Sequence, residues 1–182
     1  MGDRLIIVDG YNVIHRSAAL RPGPERTLRQ AREKLVNLLS WAMGSGDAKF
    51  LVVFDGAGGS SSDESQGRVE VRYSRPPKSA DEVIRELVEE QMKRIERITV
   101  VTADLEVARH ARAMGADVSL SDLFLASVMG PVSPKNPEKQ VTLSKKEIEE
   151  WAEIFRQGRV SDELPPEEED DGRDDEKEEE EN

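Results

Sequence analysis

The chain has 182 residues, no cysteine and only two histidines, His15 and His110. Disulfides, thiolate zinc sites and cysteine nucleophiles are therefore excluded, and a histidine-rich metal centre is disfavoured. The formal net charge of −12 lies wholly in residues 162–182, which hold fourteen acids and two bases; the other 161 residues balance at 24 acids and 24 bases.

The first apolar run, Leu5-Ile6-Ile7-Val8, is far too short for a membrane span or a signal segment. Ile6 stands where N-myristoylation would want Ser or Thr. The expected compartment is the cytoplasm. That same run reads as a strand buried on both faces, and it stops at Asp9-Gly10. Residues 15–25 are polar, and Pro24 suits the first turn of a following helix. Leu28, Ala31, Leu35, Leu38, Leu39 and Ala42 then recur at helical spacing until Gly44.

Residues 49–54 form a second apolar strand, again stopping at Asp-Gly (Asp55-Gly56). Residues 57–67 read as a flexible loop by composition. Val69, Val71 and Tyr73 alternate with Glu70 and Arg72, as in a half-exposed strand near an edge. Ser79-Ala80-Asp81-Glu82 has the capping-box form and opens a helix carrying Val83, Ile84, Leu87 and Val88. Residues 98–101 make another buried strand, ending Thr102-Ala103-Asp104. A helix follows to about Met114, stopped by Gly115; residues 118–120 give a last strand, and Ser121-Asp122 opens a short helix.

This alternation predicts an α/β fold with a mainly parallel sheet and helices on both faces. The main domain spans residues 1–130. Residues 131–143, with Pro131, Pro134 and Pro137, read as a linker. Residues 144–158 form a helix opened by a second capping box, Ser144 with Glu147, and its Trp151 face must dock to be stable. Residues 159–182 are an acidic tail, expected to be disordered and solubilising.

Ligands of an open parallel sheet bind outside the carboxyl ends of the strands. Asp9, Asp55 and Asp104 all end apolar runs there, and Asp81 sits in a first helical turn, where the helix dipole favours its charge. Clustered carboxylates repel unless a cation lies among them. Mg²⁺ or Mn²⁺ would suit such oxygen donors, bind a phosphodiester and activate water. Each acid has a plainer reading too: Asp9 and Asp55 as turn residues, Asp81 as a first-turn acid, Asp104 as an N-cap. Glu106 and Asp122 read chiefly as first-turn acids, and His15 as an ordinary histidine. Asn12 either orients Asp9 or caps a helical turn.

A phosphodiester substrate also needs cations to hold its flanking phosphates. Arg16, Arg21, Arg26, Arg29, Arg32 and Lys34 follow the first motif, and Arg68, Arg72, Arg75 and Lys78 precede Asp81. Arg16, Arg26, Arg29, Arg72, Arg75 and Lys78 are the candidate phosphate contacts, each also readable as part of a solvated helix face or edge strand, and the Tyr11 ring reads equally as a base-stacking platform or as core.

The stretch Ile6-Ile7-Val8-Asp9-Gly10-Tyr11-Asn12-Val13-Ile14 resembles the opening signature of the NYN domains, relatives of the PIN-fold ribonucleases. Val53-Phe54-Asp55-Gly56, Ser79-Ala80-Asp81-Glu82 and Val100-Val101-Thr102-Ala103-Asp104 follow in the family's order, over residues 4 to 128, and the bacterial YacP-like group is the most similar. The resemblance implies a PIN-like three-layer α/β/α fold, a Mg²⁺ or Mn²⁺ site and RNA cleavage. It implies Asp9, Asp81 and Asp104 as the acidic core, Asn12 in support and Asp55 as a further ligand. Many NYN domains carry a second acid two residues after the third-motif aspartate; here that place holds Glu106, one methylene longer. The group's association with ribosome-coupled mRNA decay implies mRNA and the ribosome as partners.

Two other readings stand beside the endoribonuclease. One is an inactive NYN module that binds RNA or the ribosome; the other is an interaction protein working through the tail and the Trp151 helix. An aspartyl-nucleophile phosphatase would need an acid two residues after Asp9, where Tyr11 stands.

Overall fold

The computed structural model of the chain describes residues 4–42, 48–56, 64–129 and 144–156. Three apolar runs become the middle of one sheet: β1 (Arg4–Asp9), β2 (Ala48–Phe54) and β5 (Arg97–Thr102). Between and after them come α1 (Gly10–Arg16), α2 (Leu28–Ala42), β3 (Glu64–Gln66), β4 (Val69–Tyr73), α3 (Ala80–Gln91), α4 (Leu105–Ala113), β6 (Asp117–Leu120), α5 (Ser121–Met129) and α6 (Lys145–Arg156). The strand order is β3-β4-β2-β1-β5-β6, with five strands parallel and only β3 antiparallel, against β4.

Crossover helices must cover both faces of a parallel sheet, because its strands are apolar on both sides. One core packs Leu5, Ile7, Val53 and Val100 against Ile84, Leu87 and Val107 of α3 and α4, and it takes in Trp151 and Ile154 of α6. The other packs Ile6, Val8, Val52 and Phe54 against Ile14, Leu35, Leu39 and Phe124 of α1, α2 and α5. The result is the three-layer α/β/α arrangement expected.

Helix boundaries follow local chemistry. Ser79 and Glu82 satisfy each other's backbone at the start of α3. Thr27 and Gln30 make the equivalent reciprocal bonds ahead of α2, so Thr27, not Pro24, sets its entry. Gly115, at φ +93°, takes the left-handed turn after α4. α6 lies along α4, with the Arg112 guanidinium donating to the Ile154 carbonyl at 3.3 Å and Arg109 facing Glu150.

Two further expectations are corrected. Asp9-Gly10 is no turn, since α1 begins at Gly10 and runs into the start of the polar stretch 15–25. The expected loop at 57–67 contains β3, which occupies the sheet edge and leaves β4 one place inside it. Gly44, the linker 131–143, Gly158 and the acidic tail lie outside the described residues. Among the described residues no helix is long and apolar enough to cross a membrane.

Candidate active site

All parallel strands point their carboxyl ends one way, and the helix N-termini that follow them line the same edge. Asp9 is both the last residue of β1 and the N-cap of α1, accepting the Asn12 N–H at 3.3 Å. Gly10 is obligatory beside it: a Cβ there would lie 2.3 Å from Phe54 Cε1. Asp104 caps α4, its Oδ1 accepting the Glu106 and Val107 N–H groups at 2.8 and 3.0 Å. Asp81 stands in the first turn of α3 and makes no hydrogen bond among the described residues. Asp9 and Asp104 are thus both N-caps, a role the sequence offered only for Asp104.

A set of hydroxyls and one amide binds this edge together. The Thr102 hydroxyl, fully buried, donates to Asp9 Oδ2 at 3.3 Å and accepts the Asp104 N–H at 3.0 Å. Asn12 Oδ1 accepts the Ala103 N–H and the Ser121 hydroxyl, each at 2.9 Å. The Asn12 side chain therefore neither orients Asp9 directly nor caps a turn; it ties the ends of β5 and β6 to α1. Removing that acceptor strands two donors, so Asn12→Ala is expected to cost about 2 kcal/mol or more of stability. An unchanged urea midpoint would show that the tie contributes nothing.

Asp55 is exposed and differently occupied. Its Oδ1 accepts the buried Ser74 hydroxyl at 2.6 Å and the Ala80 N–H at 3.2 Å, pinning the end of β2 to the start of α3. Ser74, Thr102 and Ser121 had no assigned role in the sequence; a hydroxyl closing an apolar strand was the signal available.

The electrostatics are those of crowded like charges. Burial pushes the Asp9 carboxyl up to about 6, with Asp81 and Asp104 adding to the rise against the hydrogen bonds from Asn12 and Thr102. Asp81 is also raised, by burial first and then by Asp104, Asp55 and Glu106, while Arg85 opposes the shift. Arg85 is a further residue the sequence reading missed, although it lies four residues after Asp81 on one helix face.

No three histidine, cysteine or acidic side chains among the described residues stand close enough to hold a metal ion directly. The donor chemistry nevertheless fits a hard divalent cation, because Mg²⁺ takes one or two carboxylates and completes its shell with water and substrate phosphate. Glu106 is exposed and faces Arg85, and Asp122 is exposed in the first turn of α5. His15 is exposed beside the Tyr11 ring.

The candidate RNA contacts divide. Arg29, Arg72 and Lys78 pair with Glu33, Glu70 and Glu86, and Arg26 donates to the Ala19 carbonyl. Arg16 and Arg75 make no side-chain hydrogen bond or ion pair among the described residues. Exposed ion pairs are weak enough for phosphate to displace. Tyr11 packs on Phe54 and accepts from Arg32 at 2.8 Å, so its ring is half-buried in the wall of the site.

A mainly parallel six-stranded sheet between two helical layers, with acids at its carboxyl edge, gives the α/β architecture of a PIN-like domain. The family model for the YacP-like NYN domain matches residues 6–161, and the chain belongs to that family. Its match runs on through α6. The crystal structure of Rae1 (YacP) from Bacillus subtilis is similar, with 26% identity, a TM-score of 0.59, and coverage of 69% of this chain and 73% of that one. A tryptophan-to-leucine variant of the same protein gives 25% identity and a TM-score of 0.60, over 69% of this chain and 75% of that one. No curated protein matches.

Proposed function

We propose that this domain is an endoribonuclease that hydrolyses RNA with Mg²⁺ or Mn²⁺ held by Asp9, Asp81 and Asp104, with Asp55 at the margin. The observation that carries the reading is the buried Asp9 carboxylate, with a pKa pushed up to about 6 beside two other acids. A protein gains nothing in stability from that arrangement, whereas a divalent cation reverses the repulsion. When bound, such an ion polarises a phosphodiester oxygen and lowers the pKa of water enough for attack at neutral pH.

The chain's own residues do the rest. The Thr102 hydroxyl and the Asn12 backbone N–H orient the two Asp9 oxygens, and the cap bonds of Asp104 engage only its Oδ1. Arg75 and Lys78 lie on the segment that carries Ser74 from β4 to α3, where they can hold flanking phosphates. Arg16, Arg26, Arg29 and Arg72 are the further contacts proposed. mRNA, cut in association with the ribosome in the cytoplasm, is the proposed setting, resting on the family resemblance.

Water-mediated hydrolysis leaves 5′-phosphate and 3′-hydroxyl ends, because the 2′-hydroxyl is not the nucleophile. Cleavage of a short RNA is expected to stop in EDTA, return with Mg²⁺ or Mn²⁺ and yield those ends. A 2′,3′-cyclic phosphate as the main product would overturn the mechanism. RNA binding without cleavage in either metal would leave the inactive-module reading.

A further inference from the structure

Arg85 lies four residues after Asp81 on α3, and its side chain crosses toward the start of α4. Its Nη2 is 3.6 Å from Glu106 Oε2, too long for a hydrogen bond, and its side chain is 35% exposed against 80% for Glu106. Nε is shut off from solvent and has no acceptor among the described residues. A substrate oxygen cannot reach that buried Nε; the solvent-exposed part of the side chain is its Nη edge, which makes no hydrogen bond among the described residues. Arg72 and Lys78 are hydrogen-bonded to glutamates and Arg32 donates to Tyr11, whereas Arg75, likewise unpaired among the described residues, is exposed to solvent.

The guanidinium therefore stands beside the acids with donor capacity in reserve. A cation there does not help bind a divalent ion; it repels one. Its fork does match two oxygens of a phosphate, and positive charge beside the reacting group is most useful when negative charge develops on those oxygens.

We infer that Arg85 is a catalytic residue that binds a non-bridging oxygen of the scissile phosphate, and that Glu106 positions it. Glu106 is thereby a holder of the arginine, with no direct contact to the cation. The inference rests on the hydrolase reading above and deepens it.

The test uses the full chain with Arg85→Met, Arg85→Lys and Glu106→Gln, each checked for an unchanged melting transition. At saturating Mn²⁺, Arg85→Met is expected to lower kcat about 100-fold with a smaller change in KM, and Arg85→Lys to recover part of the loss. Mn²⁺ affinity, read from the spin-resonance signal of the free ion, is expected to be unchanged or tighter in Arg85→Met, because a like charge is gone. Inorganic phosphate is expected to bind the Mn²⁺-loaded variant about tenfold more weakly. Glu106→Gln is expected to lower kcat several-fold with Mn²⁺ affinity unchanged.

A kcat for Arg85→Met within threefold of wild type at saturating Mn²⁺ would overturn the assignment. So would a loss explained wholly by weaker Mn²⁺ binding. A tenfold fall in Mn²⁺ affinity for Glu106→Gln would make Glu106 a ligand and sink its positioning role. If the wild-type protein cuts no RNA at all, the hydrolase reading fails by itself. Phosphate binding then decides: a tenfold loss in Arg85→Met keeps the anion site, and equal affinities remove it.

Discussion

Asp9→Asn is expected to lower RNA cleavage by roughly 10³-fold while making the metal-free protein more stable at neutral pH. The second half follows from the sign of the shift. The folded carboxyl is pushed up from 3.8 to about 6, so the folded state keeps its proton to higher pH than the unfolded chain. Stability contributed by Asp9 is complete below about pH 4 and is lost as the pH rises through about 6. A difference of about two units corresponds to about 3 kcal/mol, an upper figure for the strain that ionised Asp9 imposes at pH 7 to 8. Asparagine keeps an oxygen to cap α1 and carries no charge. In EDTA its advantage should appear above pH 6 and close toward pH 4, as read from urea melts across that range. Mn²⁺ should also narrow the gap by binding the folded wild type. A stability difference that ignores pH would remove the electrostatic account of the site.

Gly10→Ala is expected to damage the fold as severely as Asp9→Asn damages activity. The added Cβ would stand 2.3 and 2.5 Å from Phe54 Cε1 and Cδ1. Phe54 is fully buried and packed between Tyr11 and Tyr73, at ring-centroid distances of 5.0 and 5.7 Å, so it has little room to retreat. The expected cost is about 3 kcal/mol, at the upper end for overpacking, with cleavage reduced because the strained residue directly follows Asp9. Shrinking the ring tests the cause: Phe54→Leu, itself destabilising, should be less harmful in Gly10→Ala than in the wild type. Additive effects in the double variant would place the damage elsewhere.

The large elements were legible because periodic apolar runs leave few options. Leu5 to Val8 and residues 98–101 could only be buried strands, and the Ser79–Glu82 capping box marked α3 directly. α1 was hidden because its residues, Tyr11, Val13, Ile14 and His15 among them, have mediocre helix propensity and follow an Asp-Gly pair that usually turns. Packing of Val13 and Ile14 on the second core overrides that preference. β3 was hidden because its three residues lie in a polar, glycine- and serine-rich stretch, and pairing with β4 is what makes them a strand.

Of the site, the sequence revealed the acids and their common edge. It did not reveal what each oxygen was bonded to. Asp55 reaching Ser74 and Ala80, Thr102 bridging Asp9 to the Asp104 amide, and Arg85 turning toward Glu106 all depend on tertiary placement. No periodicity encodes them.

The bonds at the strand ends join parts of the chain made at very different times. Asp9 meets Thr102 across 93 residues, and Asn12 meets Ser121 across 109. Contacts of such separation form late, after the costly closure of long loops. During synthesis the first acid thus leaves the ribosome long before the strand and loops that complete its surroundings. In a growing chain the Asp9 bond waits for β5 and the Asn12 bond for Ser121 at the start of α5.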